Sequence, residues 1–228
     1  MRTALHGKGS TGGTAGNGVY ENVKARVIAH DFPAGKRILI EPLADQLFVS
    51  STPIREALIR LAAERIIKDV PKAGFFVKEI SESEVTDLYS LQQLLLEWCL
   101  RVIDEGAQRA GILKPPNLLG DIGSTGEVSA AIAAYILDEI FVHISMQSGN
   151  SDVVHIVRNI NDRTHYVRKK DYETFASAET TLLRLCQTYY QKQFGELREG
   201  LRIYFREATE RLPSLLRAQR VSAIKPRG

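Results

Sequence analysis

The chain has 228 residues and lacks the features that mark disulfide-rich, zinc-cluster and membrane proteins. It contains two cysteines, Cys99 and Cys186, each within an apolar helical pattern, which excludes a disulfide framework and a zinc cluster. Buried free thiols are expected instead. No stretch reaches the roughly 18 uninterrupted apolar residues of a membrane span, and the N-terminus lacks the apolar core of a signal peptide. The sequence therefore predicts a cytoplasmic protein with no membrane partner.

Motifs of catalysis are missing from the sequence as well. It has no nucleophile elbow, no H-E-x-x-H, no P-loop and no pair of carboxylates at an informative spacing. A literal G-x-G-x-x-G occurs at Gly7, Gly9 and Gly12, but neither the preceding strand nor the following helix of a dinucleotide site is predicted there. We therefore predict a protein that is not an enzyme and that needs no cofactor.

Charged residues are unevenly distributed along the chain, although its overall composition is typical of globular proteins. Charged residues make up 25% and apolar residues 44%, and the length favours two domains. Residues 1–80 hold 12 Lys and Arg against 8 Asp and Glu, a net charge of +4, whereas the remainder has a net charge of −1. A basic N-terminal module joined to a neutral domain is suited to binding nucleic acid.

Residues 19–80 show the order of a small DNA-binding fold. Residues 1–18, with six glycines, are predicted to form a flexible arm. Helical patterns follow from Val19, from about residue 41, and from Thr52-Pro53, a strong helix start. In the third helix the apolar side chains predicted to face inward are Ile54, Ala57, Leu58 and Leu61. Extended runs at 66–70 and 75–78 then flank Pro71 to Gly74, which predicts a β-hairpin and so a winged helix-turn-helix.

The rest of the chain is predicted to be helical. Ser81 and Glu84 have the spacing of a capping box. The predicted helices span about 82–106, 127–147, 151–170, 173–191 and 194–219. Residues 111–126 are predicted to be a loop and 221–228 a flexible tail. No alternating strand pattern follows residue 80, so residues 81–220 are predicted to form an all-α antiparallel bundle, and the fold class is mainly α.

The N-terminal end of the third helix carries the chemistry expected of a DNA-reading element. A helix-turn-helix directs that end at base edges in the major groove. The candidate DNA-binding residues are Ser50, Ser51, Thr52, Arg55, Arg60, Lys72 and Gly74. Hydroxyls can reach phosphates or bases, a guanidinium can pair with guanine, and a basic hairpin tip can follow the backbone. The alternative is that Ser51, Thr52 and Pro53 only cap a bundle helix and that Arg55 is a solvated charge.

These segments resemble the winged helix of the GntR family of bacterial regulators. The resemblance rests on "VYENVKARVIAHDFPAGKRI", on "LADQLFVSSTPIREALIRLAAERII" and on the wing "PKAGFFV". Its most specific part is Val49 to Leu58, because the family carries S-x-T-P-x-R-E-A-L there. Ser51 stands where the family usually has arginine, which indicates a shifted operator. The resemblance implies a homodimer that binds a pseudo-palindromic double-stranded operator.

Beyond residue 80 the length and helices resemble the FadR-type branch, whose helical domain of the FCD type binds an effector. Ser148-Gly149-Asn150 and "AETTLLRL" carry this resemblance. Many members hold a metal there on one Asp and three His. In the register set by Asn150 those positions fall on Leu137, Phe141, Thr180 and a residue at or near Arg202. A shift toward Asp138 and His143 would still leave two ligands missing, so the resemblance predicts a domain without a metal.

The predicted effector is a small organic molecule, with an anion held by Arg202 as the favoured chemistry. The candidate effector-binding residues are Gln92, Phe141, Thr180 and Arg202. A surface arginine on the last helix is the alternative interpretation of Arg202, and His143, His155 and His165 are expected to be ordinary helix residues. Two functions thus remain open: a DNA-binding transcription regulator modulated by an effector, or a helical protein-interaction scaffold without effector sensing.

Overall fold

The computed structural model describes residues 12–104 and 129–224. The chain divides into two compact units, Met1–Glu79 and Ile80–Gly228, called here the N-terminal and C-terminal units. Helices dominate both of them, and the prediction of a mainly α fold is confirmed.

The N-terminal unit has the predicted order of three helices followed by a hairpin. Its elements are α1 (Gly12–Ile28), α2 (Ile40–Leu47), α3 (Ser51–Ala63), β1 (Ile67–Val70) and β2 (Gly74–Val77). The two strands are antiparallel, with Ile67 opposite Val77 and Val70 opposite Gly74. The winged helix-turn-helix predicted from the sequence is therefore confirmed.

The core of this unit lies between α1 and α3. The four inward positions predicted for α3 are all buried, and they pack in one cluster with Tyr20, Val23 and Val27 of α1. Phe75 and Val77 of the hairpin belong to the same cluster. Apolar burial thus fixes α3 by one face and leaves its opposite face to solvent.

Helix α1 begins earlier than predicted. The sequence pattern placed its start at Val19, directly after the predicted flexible arm of residues 1–18, but the helix starts at Gly12. Burial of Tyr20 and Val23 supplies the nucleus of this helix, and extending an existing helix is far less costly than nucleating one, even through glycines. Residues 1–11 of the predicted arm lie outside the described residues.

The C-terminal unit is built from helices throughout its described part. These are α4 (Glu82–Asp104), α5 (Ala130–Gln147), α6 (Ser151–Thr174), α7 (Ala176–Tyr190) and α8 (Phe194–Ile224). The predicted all-helical domain is confirmed. Helix α8 continues into the segment predicted as a tail and ends at Ile224. Leu212, Leu215 and Leu216, before that segment, pack the helix on the core. The predicted loop 111–126 and residues 225–228 lie outside the described residues.

Local capping explains two of these helix starts. The Asn150 side chain accepts hydrogen bonds from the backbone N–H groups of Asp152 at 3.0 Å and Val153 at 3.2 Å, which begins α6 directly after Gly149. At α4 the Glu84 N–H donates to Ser81 Oγ at 3.5 Å, the forward half of the predicted capping box. The Glu84 carboxylate also accepts from Arg163 Nη2 at 2.5 Å, which ties α4 to α6.

Helix α5 is the most apolar helix of the described chain. By length and composition alone it is the one described helix that could cross a membrane, with a mean hydropathy of 1.2 over Ala130–Gln147. Its buried side chains, among them Leu137, Phe141 and Ile144, belong to the core cluster of the C-terminal unit. The structure therefore explains its hydropathy by packing within the bundle.

Candidate nucleic-acid interface and interior polar cluster

A sharp turn directs the N-terminal end of α3 away from α2. Phe48 closes α2 in the left-handed conformation with φ 54°, and Ser50 precedes α3 in an extended conformation. The Ser50 side chain accepts no capping hydrogen bond. Ser50 and Thr52 are exposed and Ser51 is half-buried. The hydroxyl of Ser50 is thus not consumed by capping.

Arg55 lies on the exposed face of α3, as its spacing predicted. Its neighbours Ile54 and Leu58 are fully buried, whereas Arg55 and Glu56 face solvent. The Arg55 guanidinium has no hydrogen bond or ion pair with any residue that the structure describes. Its five N–H donors are available to an external acceptor such as a guanine edge or a phosphate.

Arg60 has a different environment from the one predicted. Its guanidinium lies 3.7 Å from the centre of the Tyr20 ring, and its Nε donates to Glu64 Oε1 at 3.1 Å. Tyr20 in turn donates its hydroxyl hydrogen to Glu64 Oε2 at 2.5 Å. Arg60 therefore fastens α3 to α1 and is occupied by partners within the protein, whereas the sequence had grouped it with the DNA-binding residues.

The hairpin tip presents a basic residue on a backbone of unusual conformation. Lys72 is exposed with φ 64°, and Gly74 has φ 99°. Glycine is favoured there by its positive φ, and a Cβ at Gly74 would lie 3.2 Å from Nε of the exposed Arg37 side chain. The structure thus brings Lys72 and Gly74 together at the tip, as predicted.

Arg37 is a basic residue of this tip that the sequence analysis missed. Residues 36–38 pair with β2: Ile38 N–H donates to Phe75 O at 2.8 Å, and Val77 N–H donates to Lys36 O at 2.9 Å. Arg37 is exposed and forms an antiparallel bridge with Phe76. The adjacent Lys36 and Arg37 after Gly35 were the available sequence signal, but only this pairing places them beside the wing.

A buried arginine occupies the interior of the C-terminal unit. Arg168 on α6 is 1% exposed. Its guanidinium donates to the Asp138 carboxylate, to Thr164 Oγ1 at 2.6 Å and to the carbonyl of Asn161 at 2.9 Å. Burial lowers the pKa of Arg168, but the charge and hydrogen bond of Asp138, together with Tyr204 and Tyr89, outweigh burial and hold the pKa above its ordinary value. The arginine is therefore charged inside the bundle.

Amide and imidazole groups extend the network around Arg168. We call this group the interior polar cluster; its members are Gln92, Asp138, Asn161, Thr164, His165 and Arg168. Gln92 Nε2 donates to Asn161 Oδ1 at 2.6 Å, and Asn161 Nδ2 donates to the carbonyl of Asp138 at 2.9 Å. His165 Nδ1 lies 2.6 Å from the second oxygen of Asp138. Six buried side-chain atoms have no hydrogen-bond partner among the described residues, and two of them, Gln92 Oε1 and Arg168 Nε, belong to this cluster. One is an acceptor and the other a donor, and buried polar atoms of this kind are rare.

Two tyrosines lie close to the same cluster. Burial raises the pKa of Tyr89 and of Tyr204 well above the ordinary value, and the two side chains are hydrogen-bonded to each other. Their hydroxyls are therefore neutral at physiological pH. Sequence reasoning missed these tyrosines and Arg168, because each lies within an apolar periodicity typical of a core helix.

The four predicted effector residues do not form one group. Gln92 and Phe141 are buried, and the Phe141 ring lies 5.8 Å from the Arg168 guanidinium. Thr180 and Arg202 are exposed. Arg202 makes two hydrogen bonds to Glu97, at 3.0 and 3.1 Å, and these bonds lower the pKa of that carboxyl. The prediction of Arg202 as an interior anion clamp thus fails because its helix turns it outward; Arg168 is the interior arginine.

The donor set does not fit a divalent metal. Leu137 and Phe141 are buried apolar side chains, and the carboxylates of Asp138 and Asp171 are bound by the guanidinium groups of Arg168 and Arg211. Among the residues that the structure describes, His165 is the one histidine that contacts the Asp138 carboxylate. Over residues 12–104 and 129–224 no three His, Cys, Asp or Glu side chains are grouped as metal ligands would be. A guanidinium beside the carboxylate would also repel a cation.

Comparisons with known proteins agree with this architecture. The profile of the bacterial regulatory proteins of the gntR family matches residues 15–77. The chain is 30% identical to the Nta operon transcriptional regulator of Aminobacter aminovorans over 147 residues, which are 64% of this chain and 70% of that protein. It is 24% identical to the uncharacterized HTH-type transcriptional regulator YdhC of Bacillus subtilis (strain 168), over 86% of this chain and 90% of that one.

Solved structures share the fold over almost the whole chain. A transcriptional regulator GntR from Rhodococcus sp. RHA1 superimposes with a TM-score of 0.71 at 13% identity, covering 88% of this chain and 98% of that chain. McbR/YncC of E. coli does so with a TM-score of 0.63 at 18% identity, covering 90% and 97%. With its winged helix-turn-helix and its relatives, the chain belongs to the GntR family of bacterial regulatory proteins, as a DNA-binding transcription regulator and not an enzyme.

Proposed function

We propose that this chain is a homodimeric regulator of the FadR-type branch of its family, and that a small organic effector controls its affinity for a pseudo-palindromic operator. The N-terminal unit reads DNA, and the C-terminal unit binds the effector and holds the dimer. The protein acts in the cytoplasm, where the chromosome is. A scaffold without effector sensing would leave the polar interior of the C-terminal unit without a role.

The proposed DNA contacts are side chains of α3 and of the wing that are exposed to solvent and have hydrogen-bonding groups available to DNA. Ser50, Ser51, Thr52 and Arg55 enter the major groove at the start of α3, while Lys72 and Gly74 follow the adjacent backbone. We add Arg37 to the wing contacts because its guanidinium lies against Gly74. We remove Arg60, since Tyr20 and Glu64 already engage its guanidinium.

The observation that carries the effector proposal is the pair of unpartnered atoms in the interior polar cluster. Leaving a buried polar atom without a hydrogen bond costs about 1–3 kcal/mol, so a native protein retains such atoms where they are used. A ligand that presents a carboxylate or carbonyl oxygen to Arg168 Nε and a hydroxyl or N–H to Gln92 Oε1 satisfies both. Small hydroxy acids and amino acids have this pattern, and their carboxylate competes with Asp138 for the guanidinium.

DNA binding is tested by selecting an operator from random duplexes and measuring affinity by fluorescence anisotropy. Arg55→Ala is expected to weaken binding by about 5-fold to 150-fold per half-site, the equivalent of about 1–3 kcal/mol. Arg60→Ala removes the same charge from the same helix and is expected to retain sequence preference. Equal losses in the two variants would contradict the proposed contacts.

Effector control is tested by titrating small hydroxy and amino acids into the protein–operator complex. Gln92→Leu removes the free acceptor without adding a charge, and it is expected to abolish the response while leaving affinity without effector unchanged. Arg202→Ala is the matched control and is expected to respond normally, since Arg202 is exposed. A response lost in Arg202→Ala and kept in Gln92→Leu would place the effector elsewhere.

A further inference from the structure

Helix α4 leaves an apolar stripe uncovered although it packs against α5, α6 and α8. Leu94 is 66% exposed, Leu91 42% and Trp98 39%. At 100° per residue these three side chains, together with Asp87 and Arg101, lie within an arc of about 80° on one face of the helix. We call these five residues the α4 face. An exposed apolar stripe of this kind marks a docking site.

The charges at the ends of the α4 face identify its partner. Asp87 and Arg101 each lie seven residues from Leu94, on opposite sides of it, and both are exposed. Neither side chain has a hydrogen bond or ion pair with any described residue. The face is therefore self-complementary. When a second copy of the helix is placed antiparallel with Leu94 at the centre, Asp87 of each copy faces Arg101 of the other.

We propose that two copies of this chain associate through antiparallel α4 helices, on a twofold axis that passes beside Leu94. The inference rests on the proposed homodimer and adds the interface to it. Leu94 then packs on the partner's Leu94, with Leu91 and Trp98 on either side, and Asp87 lies opposite Arg101 of the second copy at both ends. A parallel arrangement would instead oppose aspartate to aspartate and arginine to arginine, which is unfavourable.

Cross-linking of the full chain tests the axis. Leu94→Cys places a thiol on the twofold axis, and a short bis-maleimide is expected to convert most of this variant into covalent dimer. The wild type is the control, because its native Cys99 and Cys186 are buried. Leu183→Cys, at an exposed leucine of α7, is expected to cross-link poorly. No covalent dimer from Leu94→Cys would overturn the proposal.

Sedimentation tests the energetics of the same face. Leu94→Lys is expected to raise the dimer dissociation constant at least about tenfold, whereas Leu183→Lys leaves it unchanged. Asp87→Lys and Arg101→Glu are each expected to weaken association, and the double variant to restore it. If residues 105–128 cover the α4 face instead, Leu94→Lys lowers the melting temperature without changing the dissociation constant, which overturns the proposal.

Operator binding by the wild type separates this inference from the proposed function. A wild type that binds its operator as a dimer, without cross-linking through Leu94→Cys, would refute the α4 interface and leave the regulator in place. A wild type that selects no operator would refute the proposed function, whatever the cross-linking result.

Discussion

The guanidinium of Arg60 stacks on the ring of Tyr20, 3.7 Å from its centre, and both side chains hydrogen-bond to Glu64. This contact joins the third helix of the N-terminal unit to the first at the edge of their shared core. It holds the recognition helix in place from the end opposite to the proposed DNA contacts. Its contribution should therefore be measurable in stability and not in base preference.

We expect Arg60→Ala to lower the free energy of unfolding of the N-terminal unit by about 1 kcal/mol, from the lost cation–π contact and ion pair. Urea denaturation followed by circular dichroism measures the change. Arg55→Ala, on the exposed face of the same helix, is the control and should unfold like the wild type. Equal stability of the two variants would mean that the stacking contributes nothing.

Phe48→Gly is expected to stabilise the protein. The Phe48 side chain is 95% exposed, and its backbone has φ 54°, a conformation that costs most residues about 1–2 kcal/mol and glycine almost nothing. The expected gain is about 1 kcal/mol in thermal or urea unfolding. Phe48→Ala keeps the strained backbone and should give no gain, so an equal rise in both variants would point to the aromatic ring instead.

Asp138→Leu is expected to destabilise the C-terminal unit by about 3–5 kcal/mol, because it leaves the charge of Arg168 buried without its counter-ion. Replacing both residues, as Asp138→Leu with Arg168→Met, should recover most of the loss, since an apolar pair of similar volume needs no desolvated charge. Urea unfolding of the three proteins checks this. A double variant as unstable as the single one would show that the two residues are not coupled.

The purified protein is expected to bind no divalent metal at stoichiometric level. Asp138 is bound by Arg168, and among the described residues His165 is the one histidine that contacts its carboxylate. Elemental analysis before and after chelation is the measurement, with operator affinity followed in parallel. Stoichiometric zinc, nickel or manganese that leaves together with the operator response would contradict this, and would require Arg168 to move away from the carboxylate.

Both native cysteines are expected to resist alkylation until the protein unfolds. Burial raises the pKa of Cys99 to about 11 and of Cys186 to about 12. At pH 8 only on the order of one Cys99 thiol in a thousand and one Cys186 thiol in ten thousand would then be the reactive thiolate, in addition to the steric protection. Mass spectrometry after iodoacetamide treatment, with and without urea, checks this. Rapid labelling of the folded protein would show that the bundle opens locally.

Periodicity and turn residues determined the architecture. The stripe of Ile54, Ala57, Leu58 and Leu61 can be buried on one side only, so the sequence by itself predicted which face of α3 remains free for DNA and where Arg55 lies. Gly74 and the two extended runs predicted the wing for the same local reason. In the C-terminal unit the same reasoning predicted the helices. In the N-terminal unit it missed the left-handed conformation of Phe48 at the end of α2.

Tertiary structure decided which polar side chains meet. Arg168 and Asp138 lie on different helices and are 30 positions apart, and no local pattern indicates that α6 turns this arginine inward against α5. For the same reason the sequence favoured Arg202, which pairs with Glu97 at the surface, and counted Arg60 among the DNA contacts. Helix periodicity predicts the face of a helix on which a residue lies. Which side chains contact that face depends on how helices distant in sequence pack together.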